Sequence, residues 1–338
     1  AEAKLTFDDE AYAVSLAADQ EYAGRVVRLV HESPRMPPRW IDYELTTGKQ
    51  KVVKAQSPGG GYSFGDYEVR RLGARARDGE SVPITVLMRK GVALDGSAPV
   101  LLYGYGAYGI STEAEFSVAN IALVDQGWIY AIAHVRGGSE KGRRWFLDGR
   151  RFSKANTFTD FIACAEHLIA QGYARRERIV AYGLSAGGLL MGAVANMRPD
   201  LWAGVIAQVP FVDMLNTMSD AEHPLVPLFR PDWGDPLAEP RAYDYIASIS
   251  PYENVKSQPY PAVLATAGLR DDRVSYWEAA KWVANLRRHT TGNAPVLFLT
   301  DMTAGHQAAA GRSSQYRQMG LFWAFAEQCV TFARTKKQ

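Results

Sequence analysis

Apolar and polar positions follow one rhythm over roughly the first sixty residues and another over the remainder. Residues 12–16, 26–31, 40–45 and 51–53 are short β-rich stretches at near-regular spacing, the pattern of successive strands joined by turns. Thr47-Gly48 supplies a turn before the last of them. Four such strands make a meander, the form of one propeller blade, and a lone sheet of this kind leaves edges uncovered. Pro58-Gly59-Gly60-Gly61 then reads as a boundary, so residues 1–61 are expected to be a partial all-β piece and 62–338 a second domain.

Beyond the boundary, residues 67–72 and 82–88 predict two antiparallel strands with Arg77-Asp78-Gly79-Glu80 turning between them. Strand patterns at 100–103, 128–134, 178–182, 204–208, 262–267 and 295–299 then alternate with helical patterns at 114–125, 158–171, 187–197, 277–288 and 314–333. Alternation of this kind predicts an α/β fold, a mostly parallel sheet with helices on both faces.

Composition narrows the function more than the fold. A chain of 338 residues that is 47% hydrophobic and 22% charged is ordinary for a globular enzyme. A net charge of +2 gives no broad basic surface, which argues against nucleic acid as a partner. No run of 18 apolar residues is present to span a membrane. Cys164 and Cys329 have neither a CxxC nor a metal-type spacing; Cys164 lies in an apolar helical pattern and reads as a buried, inert thiol. Nothing favours a disulfide between the two. The opening Ala1-Glu2-Ala3-Lys4 has neither an initiating Met nor a leader pattern, so a processed product or a piece of a larger protein is expected.

The chemistry-bearing motif is Gly183-Leu184-Ser185-Ala186-Gly187. It follows an apolar strand and precedes a helix, the context a nucleophile elbow requires. Small residues on either side relieve crowding at the turn, and the following helix aims its N-terminal amides at the reacting centre. The Ala186 amide is then an oxyanion donor. A glycine-rich turn with an incidental serine is the bland alternative; a phosphate loop is disfavoured because Gly-Lys-Ser/Thr is absent.

A serine nucleophile needs a base within hydrogen-bond reach, and in this fold the chain order is Ser, Asp or Glu, then His. His223 lies in a Pro-rich segment and His289 at a helix end beside two arginines, whereas His306 directly follows the last strand with Gly305 allowing a tight loop. His306 is therefore the expected base. The acid should follow the preceding strand, where Asp271 and Asp272 both qualify by topology; Asp301, on the histidine's own loop, is the weaker third choice. The acid would orient the imidazole and stabilise its protonated form. No His/Asp/Glu cluster has metal spacing, so no cofactor or metal is expected.

With these residues in place the chain resembles the catalytic half of the prolyl oligopeptidase family, on its oligopeptidase B branch. The resemblance runs over nearly the whole chain, about residues 12–332. It rests on Leu102-Tyr103-Gly104-Tyr105-Gly106, His134-Val135-Arg136-Gly137-Gly138, Asn156-Thr157-Phe158, Leu184-Ser185-Ala186-Gly187-Gly188, the run from Val205 to Asp213, Trp233-Gly234-Asp235-Pro236, Tyr276-Trp277-Glu278 and Thr300-Asp301-Met302. It implies an α/β-hydrolase catalytic domain preceded by the end of a β-propeller whose remaining blades are absent from this chain. It also implies hydrolysis of short peptides and a cytoplasmic location, with the periplasm as alternative. Asp271 matches the family's triad aspartate, Tyr105 the tyrosine that completes the oxyanion hole, and Arg273 an arginine that holds a substrate carbonyl. Glu113 and Glu115 match an acidic pair that reads a basic residue one step further upstream in the substrate.

One departure bears on specificity. The branch resembles trypsin-like enzymes in cleaving after Arg or Lys, using paired glutamates shortly before the Trp-Gly-x-Pro segment. Here Phe229 and Pro231 stand at those places, with Arg230 between them. A buried guanidinium without a carboxylate is costly. An apolar or aromatic S1 pocket involving Phe229 and Tyr108 therefore stands beside the branch's preference for Arg or Lys as an expectation, and an esterase or specialised amide hydrolase is the alternative use of the same triad. A catalytically inactive interaction module is the second alternative.

Overall fold

The computed structural model describes residues 4–18, 23–307 and 311–335. By its packing the chain divides into two compact units. One comprises Ala1–Leu72, Thr85–Val92 and Glu113–Tyr130, the other Gly73–Ile84, Ala93–Thr112 and Ala131–Gln338.

The first unit holds a four-stranded antiparallel meander of β1 (Ala13–Leu16), β2 (Val26–Ser33), β3 (Met36–Glu44) and β4 (Gln50–Ala55), in that order. Along β2, Leu29, His31 and Ser33 are buried on one face while the intervening residues are more accessible, the period-2 pattern of a half-covered sheet. Strand β4 is exposed along its whole length. Helix α1 (Val118–Asp125) also belongs to this unit. It begins four residues later than the apolar pattern suggests because the Ser117 hydroxyl accepts from the Asn120 amide and caps it there.

An eight-stranded sheet contains β5 (Tyr67–Arg75), β6 (Ser81–Arg89), β7 (Val100–Tyr103), β8 (Ile129–Ala133), β9 (Ile179–Leu184), β10 (Trp202–Gln208), β11 (Ala262–Gly268) and β12 (Val296–Asp301). Its order is β12-β11-β10-β9-β7-β8-β6-β5. Pairs β7–β9, β9–β10, β10–β11 and β11–β12 are parallel. Strands β10 and β11 are buried at every residue, and their Val-, Ile- and Ala-rich sequences show no alternation for that reason. Strand β12, at the edge, alternates.

The remaining helices are α2 (Arg143–Leu147), α3 (Ala155–Ala170), α4 (Ala186–Met197), α5 (Met214–Met218), α6 (Val226–Trp233), α7 (Pro240–Ile249), α8 (Tyr276–His289) and α9 (Arg312–Thr335). Helix α4 packs on β9 and β10, α8 on β11 and β12, and α9 on β9 and β10. This is the α/β-hydrolase architecture. Helices α5, α6 and α7 occupy a stretch whose prolines read as irregular. Pro227 and Pro240 stand at helix starts, where no amide donor is lost; Pro231 lies inside α6. Cys164 and Cys329 are free and buried, and burial raises the Cys164 thiol well above its ordinary value. No described helix is long and apolar enough to cross a membrane.

Candidate active site

The site is assembled where parallel strands end, at their carboxyl edge, as is general for open α/β sheets. Strand β9 delivers Ser185, β11 delivers the 269–274 loop, β12 the 302–306 loop and β7 the 104–110 loop.

Ser185 has φ 57° and ψ −117°, a conformation that L-residues with side chains avoid and that costs of order 1–3 kcal/mol. It is held by its neighbours. The Ser185 amide donates to the Gln208 carbonyl at 2.8 Å, and its carbonyl accepts from the amides of Gly188 at 2.8 Å and Phe211 at 3.1 Å. The turn is too tight for side chains on either side. A Cβ on Gly183 would sit 2.4 Å from the Gly187 carbonyl oxygen, and one on Gly187 would sit 2.7 Å from that of Gly104. Ala186, buried, is the first residue of α4, where the backbone N–H has no partner within the helix.

His306 lies between two groups. Its Nε2 is 2.9 Å from Ser185 Oγ and its Nδ1 is 2.8 Å from Asp271 Oδ2. The second oxygen of Asp271 accepts from the amides of Arg273 and Val274, each at 2.9 Å. Of the two adjacent aspartates that sequence left open, Asp271 has a side chain that is 1% exposed and faces the imidazole, whereas Asp272 is exposed. Asp301 Oδ1 instead closes its own loop, accepting from the Thr303 amide and hydroxyl and from the Ala304 amide. The loops that carry Asp271 and His306 are tied through main chain, Leu269 N to Asp301 O at 2.8 Å and Arg270 N to Ala304 O at 3.0 Å. Their approach leaves 2.6 Å between a Cβ on Gly268 and the Ala304 carbonyl oxygen.

A cavity of about 270 Å³ opens beside Ser185 and His306, with Tyr105, Tyr108, Phe211, Phe229, Arg273 and Ala186 in its wall. Burial raises the Tyr105 phenol, while Arg273 and the Ser185 hydroxyl pull it down. The far wall is aromatic. Tyr108 meets Trp233 edge-on at 5.6 Å and Phe229 at 6.2 Å, and Phe211 lies 5.7 Å from Trp233. The Trp233 indole donates to the Tyr108 hydroxyl at 3.0 Å. Among the described residues no carboxylate lines this cavity. The charges flanking Phe229 are engaged elsewhere: Arg230 pairs with Asp235 at 3.2 Å and Asp232 with Arg150 at 3.1 Å.

Of the residues singled out from sequence, Ser185, Ala186, His306, Tyr105, Tyr108, Phe229 and Arg273 come together at this cavity, with Asp271 behind His306. Glu113 and Glu115 belong to the first unit, both exposed, in the irregular segment before α1. There Glu115 and, more strongly, burial raise the carboxyl of Glu32, which accepts from the Phe116 amide at 2.8 Å. Sequence reasoning missed Ile110, Phe211, Leu228 and Val274 in the wall. Phe211 and Val274 were findable, because each follows a strand's carboxyl end by a few residues. Ile110 and Leu228 look like ordinary apolar loop or helix positions and carry no signal.

Known proteins give this geometry a lineage. The family model described as "Prolyl oligopeptidase family" matches residues 114–332. Dipeptidyl aminopeptidase BI of Pseudoxanthomonas mexicana is 44% identical over 94% of this chain and 44% of its own length. Protease 2 of Moraxella lacunata is 39% identical over 95% of this chain and 46% of its own. The solved structure of oligopeptidase B from Leishmania major superposes with a TM-score of 0.92 at 40% identity, covering 96% of this chain and 46% of that one. The chain thus spans less than half the length of these relatives. A family model that matches most of its residues, relatives that align with nearly all of them, and a shared path of the backbone make the chain a member of the prolyl oligopeptidase family of serine peptidases.

Proposed function

We propose that the chain carries the catalytic machinery of a serine-type oligopeptidase acting on short peptides. The observation that carries this reading is the placing of both His306 nitrogens within 2.9 Å of partners, Ser185 on one side and Asp271 on the other. Ser185 Oγ attacks the peptide carbonyl while His306 Nε2 takes its proton. The oxyanion is met by the Ala186 amide and the Tyr105 hydroxyl. The imidazolium, stabilised by Asp271, gives its proton to the leaving amine, and water hydrolyses the acyl-enzyme by the same path in reverse. Arg273 holds a substrate carbonyl from the exposed rim.

The pocket beside the nucleophile fits a neutral, apolar or aromatic P1 side chain. Phe229, Tyr108 and Phe211 line it and no acid does, so a guanidinium there would be desolvated without a partner. The same feature favours a second reading, an ester or specialised amide substrate on an unchanged triad. Glu113 and Glu115 are proposed to serve a basic residue further upstream. The meander of β1 to β4 is proposed as the end of a propeller whose other blades would admit only short, flexible peptides.

The test is kcat/KM across fluorogenic peptides that differ only at P1 (Arg, Lys, Pro, Phe, Ala), beside matched esters, with Ser185→Ala as blank. The oligopeptidase reading requires peptide turnover that Ser185→Ala abolishes. Ester turnover alone would shift the substrate class. Failure of an active-serine phosphonate to label Ser185 would make the chain an inactive interaction module.

A further inference from the structure

Lys154, immediately before α3, is 2% exposed. Fully burying a lysine is unusual and expensive unless a carboxylate pairs with it. Among the described residues no ion pair reaches it; Asp232 is the acid whose charge bears on it, while burial pulls its amine down to about 7. Its partners are main-chain carbonyls. Nζ donates to the Gly106 oxygen and, at 3.1 Å, to the Gly149 oxygen. It also lies 5.2 Å from the centre of the Trp233 ring, within range of a cation–π contact.

The Gly106 peptide joins the two tyrosines of the cavity wall, Tyr105 and Tyr108, through Ala107. This turn is packed closely: a Cβ on Gly106 would lie 2.4 Å from Thr157 Cγ2 and 2.6 Å from Val135 Cγ2. Lys154 therefore fixes the carbonyl of the residue that follows Tyr105, inside the turn that leads on to Tyr108, and it also lies over Trp233, whose indole donates to the Tyr108 hydroxyl. A fully buried methylene chain could have been supplied by Met without the cost of a buried amine. What only the amine adds is the grip on the Gly106 and Gly149 carbonyls and the cation–π contact with Trp233.

We propose that Lys154 is a positioning residue for the oxyanion-binding tyrosine: its buried amine locks the 105–108 turn so that the Tyr105 hydroxyl is held beside Ser185 before substrate arrives. This rests on the oxyanion role proposed above for Tyr105.

A double-mutant cycle on the 338-residue chain with one fluorogenic peptide tests it. Tyr105→Phe removes the donor and is expected to lower kcat by about 100-fold, as loss of one oxyanion donor does elsewhere. Lys154→Met is expected to lower kcat by about 10-fold with KM changed less than about twofold, and to add less than about threefold in the Tyr105→Phe background, because residues acting through one another are non-additive. Full kcat in Lys154→Met, or a loss that carries over undiminished into Tyr105→Phe, overturns the proposal while leaving the oxyanion reading intact. Unchanged kcat in Tyr105→Phe alone overturns the oxyanion reading, whatever Lys154 does. Where Lys154→Met does not fold, the cycle is run with Lys154→Gln, whose amide keeps one donor for Gly106.

Discussion

Two neighbouring aspartates show how much a single residue's surroundings decide. Asp271 spends one oxygen on the Arg273 and Val274 amides and the other on His306, whereas Asp272 points outward. Replacing Asp271 by Asn keeps the shape but offers the imidazole a donor where it needs an acceptor, and should reduce kcat by about 10⁴-fold. Asp272→Asn should leave kcat within about twofold. Steady-state rates on one peptide separate the two, and equal losses would contradict the assignment. This distinction was not legible from spacing, since one residue changes only the direction of a carboxylate. The elbow at Ser185 was legible because three demands coincide there: a strand, a turn without room for Cβ atoms, and a helix. Lys154 was not, because a lysine at a helix start reads as a solvated cation until its burial is known.

Elements were read well wherever one pattern persisted, either a helical period or a continuous apolar run between turns. Strands β9 to β11 and helices α3, α4, α8 and α9 all appear near their expected bounds. The stretch holding α5 to α7 was opaque because its prolines mimic a loop, although Pro227 and Pro240 stand at helix starts and Pro231 lies inside α6. A buried glutamate joins this region to the rest of the site. Glu278, in the first turn of α8 and 0% exposed, accepts from the Asp213 amide at 3.0 Å and the Thr217 hydroxyl at 2.7 Å. It thereby ties the segment after Phe211 to the helix that follows Arg273. Burial pushes its carboxyl up to about 8, against those hydrogen bonds, with the Asp213 charge adding to the rise; Lys281 faces Asp213. An acid whose folded value lies above its ordinary one binds more protons folded than unfolded between the two values. Its contribution to stability is therefore present at low pH and is lost as pH rises through about 8. Glu278→Gln should flatten that fall, so that Tm changes less than in the parent between about pH 5 and 8. Parallel Tm profiles for the two proteins would rule this out.

At the scale of the molecule, family membership and the general plan followed from many short motifs together, while the substrate choice proposed above depends on a few positions around the cavity. Phe229 is the sharpest of these. If its position sets the neutral character of the pocket, Phe229→Glu should raise kcat/KM for an Arg P1 peptide relative to a Phe P1 peptide by about 10-fold or more, since a desolvated guanidinium gains a charge-assisted partner. An unchanged ratio would place P1 selection elsewhere.

The stitching of the acid loop to the base loop has a consequence for how activity is lost. Asp271 and His306 are borne by β11 and β12, the outermost pair at one side of the eight-stranded sheet, whereas Ser185 hangs from β9, well inside it. Margins of a sheet open more readily than its middle. On slow heating the half-exposed edge strand β12, with the loop that carries the proposed base His306, should come away while the buried strands β11 and β9 are still folded. Peptide turnover should then vanish at a lower temperature than the main unfolding transition seen by far-ultraviolet circular dichroism, and return on cooling from that window. Loss of turnover and of secondary structure at one temperature would show instead that the margin is as firm as the interior.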